Sequence, residues 1–227
     1  MGLGHSPRIV TDGLVLCLDA ANKRSYGGSG TTWTDLKGDN NGTLTNGPTF
    51  DSANGGSIVF DGTNDYANLG TASSLFPGPS ITASLCCWIK PSTTVDHVPI
   101  GDQYTPGHRL YIGIVDGVWD AGFGDYYWGF GYTGSRVTAT TDWTFVSLII
   151  TAGSAVLYVN GQKTITKTTD TSVTLGGFFS LGIYFYNGAQ NGEFQEATTI
   201  SSTQIYNRAL TADEVRQNYL ATKERYA

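Results

Sequence analysis

Short apolar runs alternate with clusters of Gly, Asn, Asp, Thr and Ser along nearly the whole chain of 227 residues. Runs of this length are typical of β-strands, and the clusters between them have the composition of turns. The pattern therefore predicts an all-β protein built as an antiparallel two-sheet sandwich. The predicted strands are 14–19, 42–45, 57–60, 66–69, 81–90, 108–115, 118–123, 127–132, 144–151, 155–160, 162–168, 178–185 and 200–206.

Two dipeptides predict tight hairpins within this pattern. Asp116-Gly117 and Asn160-Gly161 each combine two residues that tolerate positive φ, which the tightest hairpin turns require. We expect each dipeptide to join the two predicted strands that flank it. The glycine-rich segment 19–46 is too long for a plain connection, so we expect it to lie along one edge of the sandwich.

The end of the chain carries the one strong helix signal in the sequence. Thr211 can cap a first turn, Glu214 completes a capping box, and Val215 and Tyr219 follow at helical spacing. One short C-terminal helix is therefore predicted over about 212–223, with its apolar face against the sandwich.

Two expectations concern the core. Phe60 and Tyr66 flank a polar turn and should both enter the interior. Trp88 and Trp143 are expected on strands that face each other between the sheets, where large rings fill the gap of roughly 10 Å.

Cys86 and Cys87 should point to opposite faces of one strand. They and Cys17 are interpreted as buried free thiols, and a disulfide from Cys17 to either of them stays open.

Composition agrees with an all-β fold, since 12% of the residues are aromatic, 14% are charged and 30 are glycines. A formal net charge of −6 offers no basic field for phosphate, so nucleic acid and anionic membrane are not expected as partners. The length suits one sandwich domain. We expect a tail over residues 1–11 and a single domain over 12–227.

Several segments, in this order and spacing, resemble the laminin-G-like jelly-roll domain of the concanavalin A-like lectin/glucanase superfamily, of the type common in phage virion proteins. The resemblance covers about 12–227 and implies a jelly-roll sandwich. In the segment 187–199, where Thr198 stands in place of a glycine usual in that family, the chain carries an insertion. The segments are Gly13–Asn22, Trp33–Leu36, Asn41–Asn46, Ile58–Tyr66, Trp143–Val146, Leu157–Gly161 and Ile205–Thr211.

This fold hosts lectins, adhesion modules, glycanases and capsid appendages. The fold alone therefore does not indicate the function, which must be inferred from a specific site. The resemblance implies a non-enzymatic structural or binding protein, a phage virion decoration or tail-associated accessory protein. It would be made in the host cytoplasm without a signal peptide and displayed on the virion surface. Neighbouring virion proteins, host-surface glycans and further copies of the chain are the expected partners. A free-standing lectin and a glycan hydrolase are the alternatives.

The sequence lacks the paired carboxylates of a glycanase. Retaining hydrolysis needs two carboxyl groups roughly 5 Å apart, and the nearest pair, Glu193 and Glu196, would point to opposite faces of a strand. The histidines His5, His97 and His108 are too scattered along the sequence to form a zinc site or to supply the general base that a serine or cysteine nucleophile needs. No catalytic residue is therefore predicted.

Aromatic residues and carboxylates crowd the segment 102–132, a mixture that suits sugar binding because rings stack on sugar faces and acids accept hydroxyl protons. The same rings could instead pack the core by strand alternation, or form a subunit interface. The candidate residues for glycan or partner binding are Asp102, Tyr104, Trp119, Asp120, Asp125, Tyr126, Tyr127, Trp128, Tyr132, Tyr184 and Tyr186.

No cofactor is required by this interpretation, but calcium is a candidate because the resembled family sometimes binds it through oxygen ligands. Asp61, Asn64 and Asp65 offer such oxygens, as does the weaker cluster of Asp35, Asp39 and Asn41. The alternative is that these side chains only stabilise their turns by hydrogen bonds to backbone amides.

Overall fold

The computed structural model describes residues 7–77, 81–102, 110–123, 132–168, 175, 177–186, 189–190 and 195–227. Within them the chain forms two antiparallel sheets packed face to face, with a helix near the C-terminus, as predicted. No helix in these ranges is long and apolar enough to cross a membrane.

The strands of the first half are β1 Leu14–Asp19, β2 Thr32–Trp33, β3 Gly42–Thr45, β4 Thr49–Asp51, β5 Ser57–Phe60, β6 Tyr66–Thr71, β7 Ala83–Pro91, β8 His97–Asp102 and β9 Leu110–Val115. Those of the second half are β10 Val118–Phe123, β11 Tyr132–Gly134, β12 Thr144–Thr151, β13 Ser154–Val159, β14 Gln162–Thr168, β15 Phe178–Leu181, β16 Phe185–Tyr186, β17 Ala189–Gln190 and β18 Thr198–Tyr206. The α-helices are α1 Ala72–Leu75 and α2 Ala212–Thr222, and 3₁₀ turns cover Ala53–Gly55 and Lys223–Arg225.

The described strands build a nine-stranded sheet and a seven-stranded sheet. The first has the order β11-β14-β13-β12-β7-β18-β5-β4, with β1 also paired to β18, and the second has the order β10-β9-β8-β15-β6-β3-β2. Strands β16 and β17 pair with each other as a separate two-stranded sheet. Non-sequential neighbours such as β7 and β18 show that long-range pairing, and not local hairpins alone, holds the sandwich together.

Strand β18 organises the nine-stranded sheet. It pairs with β7 along one edge, while its other edge pairs first with β5 and then with β1. The change of partner coincides with an irregularity at Ser201, whose Oγ donates to the Gly56 carbonyl at 2.7 Å and whose carbonyl accepts from the Ala20 amide at 2.8 Å. Backbone groups freed by the irregularity thus find partners nearby.

Both predicted hairpins are confirmed. Val115 pairs with Val118, and Val159 pairs with Gln162. The turn residues between them all have positive φ, namely 54° and 72° at Asp116 and Gly117, and 49° and 75° at Asn160 and Gly161. His108, the predicted start of the strand before the first turn, lies outside the described residues.

The layer between the sheets contains large rings that are almost fully buried, among them Trp33, Phe60, Trp119 and Phe179. The placement of Phe60 in the core is therefore confirmed. Tyr66 is only partly buried, and its ring stacks on Phe178 at a centroid distance of 5.9 Å.

Trp88 and Trp143 do not face each other between the sheets, so that expectation is wrong. Cys87 and Ile89 point into the inter-sheet core, and strand alternation therefore directs Trp88 to the outer face of the nine-stranded sheet. Trp143 precedes β12 and packs partly buried in the same outer cluster. Cys86 belongs to that outer cluster while Cys87 is in the core, as predicted for adjacent strand residues.

Helix α2 covers this outer face. The predicted capping box is present: the Glu214 amide donates to Thr211 Oγ1 at 3.3 Å, and Glu214 Oε2 accepts from the Thr211 amide at 2.9 Å. Asn218, on the buried side of α2, accepts from the Val10 amide at 2.8 Å and donates to the Tyr206 hydroxyl at 3.0 Å. The helix thus joins the chain start to β18.

Asp35 organises the loop between β2 and β3. Its carboxylate is 5% exposed and accepts hydrogen bonds from the amides of Cys17, Lys37 and Gly38 at 2.8, 2.9 and 3.1 Å. Asn41 Oδ1 in turn accepts from the Asp35 amide at 2.9 Å. This second cluster therefore follows the turn interpretation.

Replacing Asp35 by alanine leaves the buried Cys17 amide and the part-buried Lys37 and Gly38 amides without their acceptor, so Asp35→Ala should lower the free energy of unfolding by about 2–4 kcal/mol. Asp39→Ala, at an exposed position of the same loop, is the matched control and should change it by less than about 0.5 kcal/mol. Urea denaturation at constant pH measures both. Equal effects of the two substitutions would contradict the role given to Asp35.

Candidate functional site

Of the predicted site residues, those with described side chains are Asp102, Trp119, Asp120 and Tyr184. Tyr132 and Tyr186 lie on β11 and β16. The remaining predicted residues, Tyr104, Asp125, Tyr126, Tyr127 and Trp128, lie outside the described residues.

Trp119 is a core residue. Its position on β10 directs the indole between the sheets, where it is 1% exposed. Asp102 is fully buried at the end of β8, and its Oδ1 accepts from the Leu110 amide at 2.6 Å. This contact ties the start of β9 to β8. Both residues therefore serve the sandwich itself.

Asp120 forms a buried ion pair that links the two sheets. Lys167 Nζ, on β14 of the nine-stranded sheet, lies 2.6 Å from Asp120 Oδ1, on β10 of the seven-stranded sheet. The side chains are 12% and 6% exposed, respectively. Tyr111 donates its hydroxyl to Asp120 Oδ2 at 3.4 Å. Lys167 and Tyr111 were missed as partners because nothing local in the sequence connects their strands to Asp120.

Tyr184 packs with Tyr111 and Val98 on the outer face of the seven-stranded sheet. The two tyrosines are 6% and 4% exposed. Tyr111 lies so close over Gly122 that a Cβ there would sit 2.1 Å from its ring. The packing alternative accounts for the placement of these two rings, which lie against bare backbone at Gly122 and Gly101.

Truncating one partner of a buried ion pair leaves an uncompensated charge, so Asp120→Ala should lower the free energy of unfolding by about 3 kcal/mol. The double variant Asp120→Leu with Lys167→Met removes both charges and should recover most of that loss. Chemical denaturation of the single and double variants measures the difference. A double variant as unstable as the single one would show that the pair is not the source of the effect.

The predicted calcium residues form a self-contained turn. Asp61 Oδ1 accepts from the amides of Thr63 and Asn64 at 2.8 and 3.4 Å, and Asp65 Oδ2 accepts from the Asp61 amide at 3.3 Å. Hydrogen bonds from the Thr63 backbone hold the pKa of Asp61 below its ordinary value, while burial raises the pKa of Asp65. The turn interpretation accounts for these contacts.

In the part of the chain that the structure describes, no three His, Cys, Asp or Glu side chains are grouped to hold a metal. Calcium takes six to eight oxygen ligands, and Asp61 and Asp65 instead accept from backbone amides. The contacts that the structure shows are those of the turn, and calcium binding stays a prediction.

The three thiols are buried and unpaired. Burial raises the pKa of Cys86 to about 11 and the pKa of Cys17 and Cys87 to about 12. The thiols therefore stay protonated at neutral pH and are poor nucleophiles.

His97 is the buried histidine of β8, with 1% exposure. Its Nδ1 lies 2.9 Å from the Val95 carbonyl oxygen. Burial lowers its pKa below the ordinary 6.5, and the Val95 hydrogen bond and the carboxylates of Glu196 and Asp96 oppose this shift in part. The folded state therefore favours neutral imidazole.

Because His97 binds its proton less readily in the folded state, the free energy of unfolding should decrease as the pH falls below about 6.5 and through the folded pKa. In His97→Gln the decrease between about pH 7 and pH 5.5 should be smaller than in the unmodified protein. Urea denaturation across this window tests it. An unchanged pH slope in the variant would exclude His97 as its source.

Two cavities open on the outer face of the nine-stranded sheet, one on each side of Trp143, and together form what we call the Trp143 groove. The first, of about 240 Å³, is lined by Trp88, Trp143, Asn160, Tyr219, Lys223, Glu224, Tyr226 and Ala227. The second, of about 250 Å³, is lined by Asp51, Ala53, Asn54, Val59, Lys90, Pro91, Ser92, Trp143, Ala197, Thr198 and Thr199.

The indole of Trp143 is held in place from two sides. Its Nε1 donates to Asn54 Oδ1 at 3.2 Å. The ring of Tyr226 lies 4.8 Å from it and 4.1 Å from Trp88, between centroids. Trp143 nevertheless stays partly exposed. A fixed, partly open ring between two cavities is an arrangement that binds flat apolar faces.

The chain end after α2 builds one wall of the groove, and polar contacts anchor it. Arg225 makes a two-pronged ion pair with Asp19, at 2.8 and 3.0 Å. The Tyr226 hydroxyl donates to Ser201 Oγ at 2.8 Å. Trp88 Nε1 donates to Thr222 Oγ1 at 2.7 Å. The wall is therefore part of the folded domain.

Sequence reasoning missed the groove because Trp143 was interpreted as a core ring. One signal could have indicated otherwise: Trp143 follows Thr140, Thr141 and Asp142, so it belongs to a polar segment and not to the apolar run that becomes β12. The other residues that line the groove come from distant parts of the chain, so no local sequence pattern marks them.

Residues 61–216, more than half of the chain, match the sequence model of the family Laminin_G_3, described as "Concanavalin A-like lectin/glucanases superfamily". No curated protein matches the chain in sequence.

Solved structures share the fold. A Trypanosoma rangeli sialidase in complex with the inhibitor DANA is 17% identical at a TM-score of 0.66, over 99% of this chain and 36% of its own. The binding domain of botulinum neurotoxin DC in complex with SialylT is 14% identical at 0.65, over 92% and 52%. Domain 4 of AbnA, a GH43 extracellular arabinanase from Geobacillus stearothermophilus, in complex with arabinotriose, is 19% identical at 0.61, over 96% and 100%. This chain thus spans about a third of the sialidase. At these identities the likeness shows the fold.

Proposed function

Because the chain belongs to the concanavalin A-like lectin/glucanase superfamily, we propose that it is a non-catalytic carbohydrate-binding domain and that the Trp143 groove holds the sugar. The observation that carries this proposal is the partly exposed Trp143 indole with a cavity on each side. Carbohydrate sites combine an aromatic ring, which covers the apolar face of a sugar, with polar groups that bind its hydroxyls.

The polar lining of the groove suits hydroxyl groups. Asn160, Lys223 and Glu224 line the first cavity, and Asp51 and Lys90 line the second. Ammonium and amide groups donate hydrogen bonds, and carboxylates accept them, so each cavity offers both functions that a sugar hydroxyl requires.

Two neighbours in the fold support the class of ligand. The botulinum neurotoxin DC domain was solved with SialylT and the arabinanase domain with arabinotriose. The arabinanase domain is matched over its whole length, which makes it a relevant precedent for a sandwich domain of this size that holds a sugar.

The geometry of the groove supports binding without catalysis. Its carboxylates, Asp51 and Glu224, line different cavities with Trp143 between them. Glycoside hydrolysis needs two carboxyl groups that flank one bond. The proposal requires no cofactor. Measuring the sugar affinity with and without added calcium tests whether calcium is needed.

The resemblance to phage virion proteins supports a second, finer proposal, that the domain is displayed on a virion surface as a decoration or tail-associated protein. Mass spectrometry of purified particles tests it: a fixed copy number supports display, and absence from particles rejects it while leaving sugar binding intact.

Removing the indole should abolish most sugar binding. Truncation of a central aromatic contact costs about 2 kcal/mol or more, so Trp143→Ala should weaken binding by about thirtyfold, and Trp143→Phe should retain part of the affinity. Tyr66→Ala, which removes an aromatic ring from the other sheet, is the control and should bind as the unmodified protein does. Calorimetry on oligosaccharides selected from a glycan array measures the affinities, with thermal melting to confirm folding.

An unmodified protein that binds no array glycan would contradict the proposed function. Sugar binding that survives Trp143→Ala but is lost in Tyr66→Ala would instead move the site to the seven-stranded sheet.

A further inference from the structure

Side chains of both charge signs line each half of the Trp143 groove. Lys223 Nζ lies 3.6 Å from Glu224 Oε1 in the first cavity. Lys90 and Asp51 both line the second cavity. Each cavity therefore presents both a cationic and an anionic side chain.

The two cavities are similar in size and share one residue, Trp143. Their volumes of about 240 and 250 Å³ are below the roughly 300 Å³ at which pockets for drug-sized ligands begin. Each cavity is thus of a size that suits a single sugar ring. A ligand that fills both must cross the indole.

Resting on the proposed function, we infer that the groove takes a neutral, linear oligosaccharide that runs across Trp143 and places sugar residues in both cavities. The anchored chain end forms the wall on one side, and the strand residues Lys90 and Thr199 line the far cavity. The indole lies between and contacts the middle of the ligand.

Neutrality of the ligand follows from the charges of the groove. A sugar carboxylate that approached Lys223 would also approach Glu224, and one near Lys90 would share its cavity with Asp51. Like charges at such positions are unfavourable. The net charge of −6 on the whole chain adds a general repulsion of polyanions. Neutral hydroxyls, in contrast, accept from the lysine and donate to the carboxylate of the same cavity.

The test is calorimetric titration of the full chain with neutral oligosaccharides of increasing length and with acidic ones of matched length, such as galactosyllactose against sialyllactose and methyl-esterified against free oligogalacturonate. We expect neutral ligands to bind, with affinity that rises from the monosaccharide by about tenfold or more and levels off once both cavities are filled. Acidic counterparts should bind about tenfold more weakly.

A charge-altered variant sharpens the test. Glu224→Gln together with Asp51→Asn removes both carboxylates of the groove and keeps the acceptor that binds the Ala53 amide. In this variant the ratio of the affinity for acidic ligands to the affinity for neutral ligands should rise by at least about threefold, although neutral binding itself weakens because amides replace the carboxylate acceptors.

The outcomes separate the two claims. Tighter binding of acidic than of neutral ligands, or a monosaccharide that binds as tightly as the longest oligomer, overturns the inference and leaves the proposed function standing. Binding of neither class overturns both. Binding by neutral oligomers that Trp143→Ala does not weaken overturns the assignment to this groove.

Discussion

Both faces of the nine-stranded sheet are buried where β7 runs beside β18, and this double burial determines how the rest of the chain is arranged. Residues 83–89 of β7 are all buried, without the exposed alternate positions of a one-sided strand. One face of β7, with Cys87 and Ile89, packs against the seven-stranded sheet in the core. The other face, with Cys86 and Trp88, needs its own cover.

Helix α2 and the chain end provide that cover. Val215 and Asn218 lie buried against the sheet, and Arg225 and Tyr226 continue the cover along the strands. The cover ends at Trp143, which it holds from one side while leaving the ring partly exposed. The candidate site is thus a consequence of how the outer face is closed, and its rigidity comes from contacts that the fold needs anyway.

Local rules predicted local features well. The two hairpins, the capping box at Thr211 and the opposite faces of Cys86 and Cys87 each depend on neighbouring residues, and each was confirmed. The two-sheet fold followed from strand-length runs. Strand β8 was missed because Pro99 and Gly101 interrupt its apolar pattern, although its backbone is paired on both sides. Short strands such as β2 and β4 gave too little signal.

The site was not predictable in the same way, because it depends on which face each ring occupies. Trp119 looked available for sugar and is in the core, whereas Trp143 looked like core and is partly exposed. Likewise, Lys167 reaches Asp120 across two sheets whose contact no sequence interval encodes. Tertiary packing decides such questions, so the groove proposed to bind sugar lies on the outer face of the nine-stranded sheet and could not be read from the sequence.

The most direct measurement is a crystal structure of the protein soaked with a neutral oligosaccharide long enough to fill both cavities. The account predicts sugar density in the Trp143 groove, with one ring against the indole and hydroxyls within hydrogen-bond distance of the polar residues on either side. Density on the outer face of the seven-stranded sheet, with the Trp143 groove filled by water alone, would contradict it.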